Sequence, residues 1–571
     1  MKKTERTPED NQRAQLENEV VRLNKKIAKY EAIELKQNRF GLVWLDVPEA
    51  FEDDVENKLP ILEEVPKLAI NSKDGKPTHL LIEGDNYHAL TCLNYTHKGK
   101  VDVIYIDPPY NTGSDGFKYK DKRILDKFPD GTEVPKESHL RHSYWLSFMK
   151  KRLELSKDLL TERGVIFINI DDNEFAQLKI LCGEIFGEDN IEVMIWHQTS
   201  TILGAGSGTL RYCPRFRNEH EYIVVIYKIR SEITFNKVLK LSKLKLEYGN
   251  ADNDPRGSWI SADTCKGERR SKINGKNYYT YKTPGGKEYT RQWHFSKEEM
   301  LAFLQDGRLY FGKDGSALPR LKKFVNEKRP VTQASVLDDV GSNTDGKEDL
   351  KAIFGNTDLF AYPKPVSLVE RLIQISSKQN SIILDFFAGS GTTGQAVLKL
   401  NQEDGGKRQF ILVTNNDEVV NGKRHKIMTD VCLPRIKKVI KSEGGSIKYF
   451  KTAFVGKNNI LKADDADKIE LAHNAGGMLA IAENTFDQVE TNNFWQIFES
   501  PKQYTAVYFR EEFVKFDDFV ETIKKLKKPV VVYIFSWEKE LEFNDFEDHN
   551  ITIKTIPQPI LEIYKQIYNL V

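Results

Sequence analysis

The chain has 571 residues, with 85 basic against 84 acidic side chains and a net charge of +1, a length that suits roughly three to five domains or subdomains. This balance neither demands nor excludes a nucleic-acid partner, because binding depends on where the charge sits. Hydrophobic residues at 39% describe an ordinary soluble protein with several cores, and no apolar run approaches the ~18 residues of a membrane span.

The opening Met1-Lys2-Lys3-Thr4-Glu5-Arg6 lacks an apolar signal region, so a cytoplasmic protein is expected. Residues 9–38 read as a polar helix. Its seam of Leu16, Val20, Leu23, Ile27 and Tyr30 lasts about two heptads and suits docking on its own domain or a dimer contact. An acidic, proline-punctuated stretch runs to about residue 76. His79-Leu80-Leu81-Ile82-Glu83-Gly84-Asp85 then reads as a strand ending in Gly-Asp. A helix over 87–96 leads into the apolar run Val101-Asp102-Val103-Ile104-Tyr105-Ile106, completing a β-α-β unit. Further on, the pattern predicts an amphipathic helix over 139–161, a buried strand over 164–170, a helix over 174–186 and a strand over 191–196.

Between 197 and 345 the alternation gives way to turns and to basic residues interleaved with rings. They are Arg269, Arg270, Lys272, Lys276, Tyr278, Tyr279, Tyr281, Lys282, Arg291, Trp293, Arg320, Lys322 and Lys323. The α/β rhythm resumes with a helix over 364–377, a strand over 381–384, a helix over 392–400 and a strand over 410–413. From about 449 a further α/β-like region, with a strand over 530–535, carries no motif of chemical consequence. The cysteines Cys92, Cys182, Cys213, Cys265 and Cys432 are scattered without CxxC spacing, which argues against structural zinc and a disulfide framework. No metal is expected.

Two strand-to-loop junctions carry chemistry. The first, Asp107-Pro108-Pro109-Tyr110, closes the run 101–106 and is followed by Asn111-Thr112-Gly113. The exocyclic amine of a base is a poor nucleophile, because its lone pair is delocalised into the ring. Accepting its N–H bonds with a carboxylate and a backbone carbonyl returns electron density to nitrogen. Proline fixes its backbone and cannot donate, which suits the Pro108 carbonyl to that task. Tyr110 offers a stacking face for a base taken out of the helix.

The second junction is Asp385-Phe386-Phe387-Ala388-Gly389-Ser390-Gly391-Thr392, after the run 381–384. Its glycines permit a tight turn and close approach of backbone to a ligand. The loop satisfies GxGxxG, yet a dinucleotide site wants an acid at the end of the next strand. That strand ends Val413-Thr414-Asn415-Asn416, with the first acid at Asp417, so the fit to a dehydrogenase is poor.

The two motifs, in this order, resemble those of the β-class amino-methyltransferases. The likeness extends over 79–86, 101–113, 138–172, 217–222, 308–315, 362–365 and 382–393, segments that resemble the modification subunit of type III restriction–modification systems. It covers most of residues 40–450. The resemblance implies a site-specific adenine-N6 methyltransferase that transfers methyl from S-adenosylmethionine to a flipped adenine in double-stranded DNA. Its partners would be a restriction subunit (helicase and nuclease) and a second copy of itself. The alternatives are a solitary DNA adenine methyltransferase and a DNA-binding module with an inactive core.

The implied fold is α/β: a permuted Rossmann-like S-adenosylmethionine-dependent methyltransferase core, an inserted target-recognition domain and a C-terminal α/β region. Its expected divisions are an N-terminal helix (1–39), the catalytic half (40–228), target recognition (229–345), the cofactor half (346–448) and a C-terminal domain (449–571). Carried over by residue, Asp107, Pro108, Pro109 and Tyr110 are catalytic. Asp85, Asp107, Lys364, Pro365, Asp385, Phe387, Ala388, Gly389, Gly391 and Thr392 would hold the cofactor, with Lys364-Pro365 beside its methionine end. Thr414 departs from the pattern, since many relatives place an acid there for the ribose hydroxyls. Asp417 or another group is left to make that contact. His142, His197 and His220 read as hydrogen-bonded structural histidines.

Overall fold

The computed structural model describes Trp44 and residues 59–72, 74–112, 133–134, 138–198, 218–241, 249–325, 327–356, 359–416, 418–420, 423–455, 465–509, 514–535 and 550–557. The helix expected over 9–38, and with it Gly113, Cys213, Arg217 and Asp417, lies outside them. The chain divides into two compact units, Met1–Thr234 with Ala334–Val571, and Phe235–Gln333.

The larger unit is built on a ten-stranded sheet. Its strands are β1 (Leu59–Glu64), β2 (Thr78–Glu83), β3 (Val101–Ile106), β4 (Leu160–Ile170), β5 (Ile191–His197), β6 (His220–Tyr227), β7 (Val336–Leu337), β8 (Ile382–Asp385), β9 (Gln409–Thr414) and β10 (Ser446–Val455). They lie in the order β1-β10-β2-β9-β8-β3-β4-β6-β5-β7. From β10 to β4 all neighbours are parallel, and β1 and β6 run against them. Such strands are covered on both faces, which is why Val165–Ile170 is one unbroken buried run rather than an alternation.

Helices α1 (Asn86–Thr96), α2 (Ser143–Leu159) and α3 (Phe175–Phe186) pack in sequence, and their Leu90, Leu93, Trp145, Met149, Leu153 and Leu178 share a core with Ile104, Ile106, Ile166 and Ile168. Further helices are α4 (Asn343–Phe354), α5 (Val366–Ser376), α6 (Thr392–Asp404) and α7 (Leu433–Glu443), of which α5 and α7 pack on α6. β8 and β3 are adjacent, with Ile383 opposite Val103 and Leu384 opposite Ile104. Chain order runs outward from β8 to its neighbour β9 on one side and from β3 to its neighbour β4 on the other. Their carboxyl ends therefore open on the crevice where open α/β sheets bind ligands.

Several boundaries differ from expectation. The helix expected over 139–161 begins as a 3-10 turn, His139–His142, and β4 starts at Leu160, before the expected 164. α6 runs on to Asp404, where Gly405 (φ +68°) ends it. A break at 449 would cut β10, whose pairing with β1 and β2 makes it part of the main sheet. A π-helix, Ile427–Cys432, leads into α7.

Beyond β10 come a helix, Asp465–Ala482, and a five-stranded sheet in the order 487–491, 495–499, 504–508, 530–534, 551–554. Among the described residues no helix is long and apolar enough to cross a membrane.

The smaller unit has its own modest core of Cys265, Trp293, Met300, Leu309, Phe311 and Leu321. A hairpin pairs Tyr278–Lys282 with Glu288–Gln292, and a three-stranded sheet joins 309–310, 320–324 and 259–263. Part of the basic and aromatic texture here is internal. Tyr279 and Tyr281 pack on Trp293, and Lys322 is buried between Asp252 and Asp254. Arg269, Arg270, Lys272, Lys276 and Lys282 are exposed.

Candidate active site

β3 delivers Asp107 to the crevice, and the two prolines turn the chain so that Tyr110 faces back. The Tyr110 hydroxyl lies 2.8 Å from Asp107 Oδ1 and 2.8 Å from Glu221 Oε2, and donates its single proton to one of them. It accepts from Lys364 Nζ at 2.8 Å. That ammonium is also 3.1 Å from Asp107 Oδ1 and 3.2 Å from Glu221 Oε2. Trp145 Nε1 donates to the Pro109 carbonyl at 2.7 Å and anchors the turn from α2.

Two carboxylates and one ammonium thus share the site, with Glu221 and Lys364 both buried. Burial raises the Asp107 carboxyl above its ordinary range, against the opposing pull of Lys364. Burial would lower the Lys364 ammonium, but Asp107 and Glu221 outweigh it and hold the group charged above its usual value. With both carboxylates ionised the cluster carries a surplus negative charge, which suits a cationic ligand.

The second loop leaves β8 at Asp385. Burial pushes this carboxyl up to about 7, although Thr393 Oγ1 and the Phe387 N–H both donate to it. Gly389 (φ +47°) and Gly391 (φ +84°) both hold left-handed backbone. A Cβ on Gly389 would stand 2.9 Å from the Phe360 ring, and one on Gly391 would stand 3.0 Å from Cys432 Sγ. The Gly391 N–H donates to Ala388 O at 2.7 Å, and Ala388 N–H to Val413 O at 3.1 Å. Beneath the loop the buried Arg435 donates to Ser390 Oγ at 2.8 Å and Thr392 Oγ1 at 2.9 Å. Burial lowers this guanidinium to about 10.

The two loops converge on a single cavity of about 390 Å³. Asp107, Pro108, Pro109, Tyr110, Lys364, Phe387 and Gly389 line it, as do Thr414 and Asn415. Asp385, Ala388, Gly391 and Thr392 belong to the same loop but do not line the cavity, nor does Pro365, which caps the start of α5. Asp85 stands elsewhere. It accepts from Tyr87 N at 2.8 Å as the cap of α1 and pairs with Arg152 Nη2 at 3.3 Å. Arg152 donates to Asn86, whose Nδ2 donates to the Phe386 carbonyl at 3.0 Å, so Asp85 supports the loop indirectly.

β2, which Asp85 closes, is flanked by β9 and β10 rather than by β3. His142 Nδ1 lies 2.7 Å from Glu174 Oε1, His197 lies 3.5 Å from Glu219, and His220 meets the Tyr222 ring edge-on. The sequence motifs assign no role to Glu221, Gln198, Asn343, Phe360, Tyr362 or Ile427, all on the cavity wall. For Glu221 a signal existed: an acid at the start of the apolar run Ile223–Tyr227 sits at the mouth of a buried strand.

A family model described as DNA methylase matches residues 101–426, which include both loops and Lys364. The chain is 35% identical over 380 residues to the type III restriction-modification enzyme StyLTI Mod subunit of Salmonella typhimurium, covering 62% of this chain and 56% of that one. It is 32% identical over 446 residues to the EcoPI Mod subunit of Escherichia phage P1, covering 69% and 66%. Against the type II methyltransferase M1.MboII of Moraxella bovis it is 46% identical over 347 residues, covering 60% and 95%. The chain therefore spans between 56% and 66% of the length of the Mod subunits it matches here. With more than half of its residues matched by the family model, the chain belongs to the DNA methylase family.

Proposed function

We propose that the chain is a site-specific DNA adenine-N6 methyltransferase, working as the modification subunit of a type III restriction system and using S-adenosylmethionine. The observation that carries this reading is the convergence of Asp107-Pro108-Pro109-Tyr110, the glycine loop and Lys364 on one cavity. A cofactor that is a cation fits this donor set. Gly389 keeps one wall free of a side chain, Phe360 and Phe387 offer apolar faces, and the carboxylates outnumber the ammonium. Thr414 and Asn415, at the end of β9, offer a hydroxyl and an amide where an acid is common in the family.

S-adenosylmethionine, when bound, supplies an activated methyl group on sulfonium sulfur. The work of the protein is to present the amine. Asp107 and the Pro108 carbonyl accept the N6 hydrogens of the flipped adenine, while Tyr110 gives its ring a face. Asp107 first exchanges its contacts with Tyr110 and Lys364 for that amine, and Glu221 remains as the partner of Lys364. Orientation and fixed charge then account for most of the acceleration. The target-recognition role falls to the unit Phe235–Gln333, whose exposed Arg269, Arg270, Lys272 and Lys276 suit phosphate contact. A restriction subunit and a second copy of the chain are the proposed partners.

A second reading keeps the chemistry and drops the restriction partner. Its ground is that the chain covers 95% of the length of M1.MboII, a methyltransferase described as type II rather than as a type III Mod subunit. Nucleoside mass analysis after incubating the purified chain with S-adenosylmethionine and unmethylated phage DNA tests the shared activity. N6-methyladenine is the expected product, and N4-methylcytosine alone would overturn the assignment of Asp107.

A further inference from the structure

Below the catalytic turn lies a second polar cluster that contributes nothing to the cavity wall. Asn111, the residue after Tyr110, is buried and holds a left-handed φ of +58°. Asn is among the few residues besides glycine that adopt this conformation readily, so its side chain can serve a left-handed step that most residues would resist. Its Nδ2 donates to Glu174 Oε1 at 2.5 Å. The same oxygen lies 2.7 Å from His142 Nδ1, and His142 Nε2 meets Gln177 Nε2 at 3.3 Å.

Glu174 stands at the cap position of α3 yet makes no capping bond to that helix. Its carboxylate is fully buried and turns to the loop instead. A buried carboxylate is costly unless it is paired and hydrogen-bonded. Here one oxygen is shared by His142 Nδ1, its charge-capable partner, and by the Asn111 amide of the turn that carries Asp107 and Tyr110. On the other side Trp145 holds the Pro109 carbonyl, so residues 109–111 are gripped at two points from α2 and α3. Phe175, next to Glu174, stacks on Tyr222, next to Glu221, with ring centroids 4.0 Å apart. That stack ties the clamp to the strand bearing the other site carboxylate.

We infer that Glu174 is a positioning residue for methyl transfer. Through Asn111 it holds the left-handed step that aims the Asp107 carboxylate and the Tyr110 hydroxyl into the cavity. The inference rests on the reading of this site as a methyltransferase centre. Misplacing a catalytic group by about 1 Å can cost on the order of 100-fold in rate. That sets the signature to look for.

The test compares the full chain with its Glu174→Ala, Glu174→Gln, Asn111→Gly and Glu174→Ala/Asn111→Gly variants on unmethylated phage DNA. It reads kcat, KM for DNA, and S-adenosylmethionine affinity by calorimetry. Glu174→Ala should lower kcat by roughly 100-fold while KM and cofactor affinity stay within about threefold. Glu174→Gln, which keeps an oxygen acceptor for Asn111, should recover most of that rate. The double variant should be no slower than Glu174→Ala, because the pair acts as one unit.

If Glu174→Ala does not fold, Asn111→Gly carries the test, since glycine accepts the positive φ and removes only the amide. A folded variant of either residue with kcat within about threefold of wild type overturns the inference. So do losses in the two single variants that simply add. A wild-type chain that transfers no methyl overturns the site reading, and the inference with it.

Discussion

Lys364 Nζ lies 3.1 Å from Asp107 Oδ1, so the residue proposed to receive the target amine already holds a cation in its place. The same ammonium lies 3.2 Å from Glu221 Oε2, which leaves it paired when Asp107 turns to the substrate. A buried charge that always keeps one partner avoids most of the penalty of an isolated one.

Replacing Asp107 with Ala should therefore abolish methyl transfer while leaving Lys364 paired with Glu221. A fall of at least about 100-fold in kcat is expected, with S-adenosylmethionine affinity largely kept. Calorimetry and single-turnover rates check this together. Residual activity within about tenfold of wild type would remove Asp107 from the chemistry.

Replacing Lys364 with Met leaves Asp107 and Glu221 facing each other across Tyr110 with no cation between them. Breaking a buried pair costs about 3–5 kcal/mol, so the midpoint of urea unfolding should fall clearly. Without its cation the Asp107 carboxyl, already raised by burial, rises further. A group raised in the fold adds stability at low pH and loses it as pH rises. The deficit of this variant should therefore shrink on acidification, and a constant deficit from pH 5 to 8 would contradict the arrangement.

Asp385 gives a separate pH signature. Burial holds its carboxyl at about 7 in the fold, against 3.8 ordinarily. The folded state binds this proton more tightly, so its contribution is full below about pH 4 and is lost as pH rises through 7. Asp385→Asn removes the titration. Relative to wild type the variant should gain stability steadily between about pH 4 and 7 and then level off. Denaturation curves at three pH values decide it.

The reason Gly391 cannot be replaced differs from the one its motif suggests. The motif suggests a side chain intruding on ligand, yet the structure points its Cβ at Cys432 Sγ, 3.0 Å away, on a backbone with φ +84°. Gly391→Val should thus deform the loop and abolish S-adenosylmethionine binding. Gly405→Ala is the control, with φ +68° but nothing within 4 Å of its Cβ. The second should cost only the roughly 1–2 kcal/mol of left-handed strain and still bind.

The two strand-to-loop junctions were legible because each puts its chemistry within a few residues of an apolar run, and the period of that run announces a buried strand. Lys364 was legible only through family resemblance. Glu221 shows in the sequence only as an acid at the mouth of a buried strand, and its contact with Lys364, 143 positions away, exists only in the fold. Lys322 shows the opposite failure. In the sequence it is one of the basic residues interleaved with rings, whereas the fold buries it between Asp252 and Asp254. The role of β10 was hidden for the same reason, since strand pairing with β1 and β2 leaves no local mark.

The most direct test is methylation-aware sequencing of DNA from cells expressing the wild-type chain and, separately, its Asp107→Ala variant. The expected result is methylated adenine at one recurring sequence with wild type and none with the variant. Exchanging residues 235–333 for those of a relative should move the mark to that relative's sequence. Unmodified adenine with wild type, or methylation that survives the Asp107 change, would contradict the account.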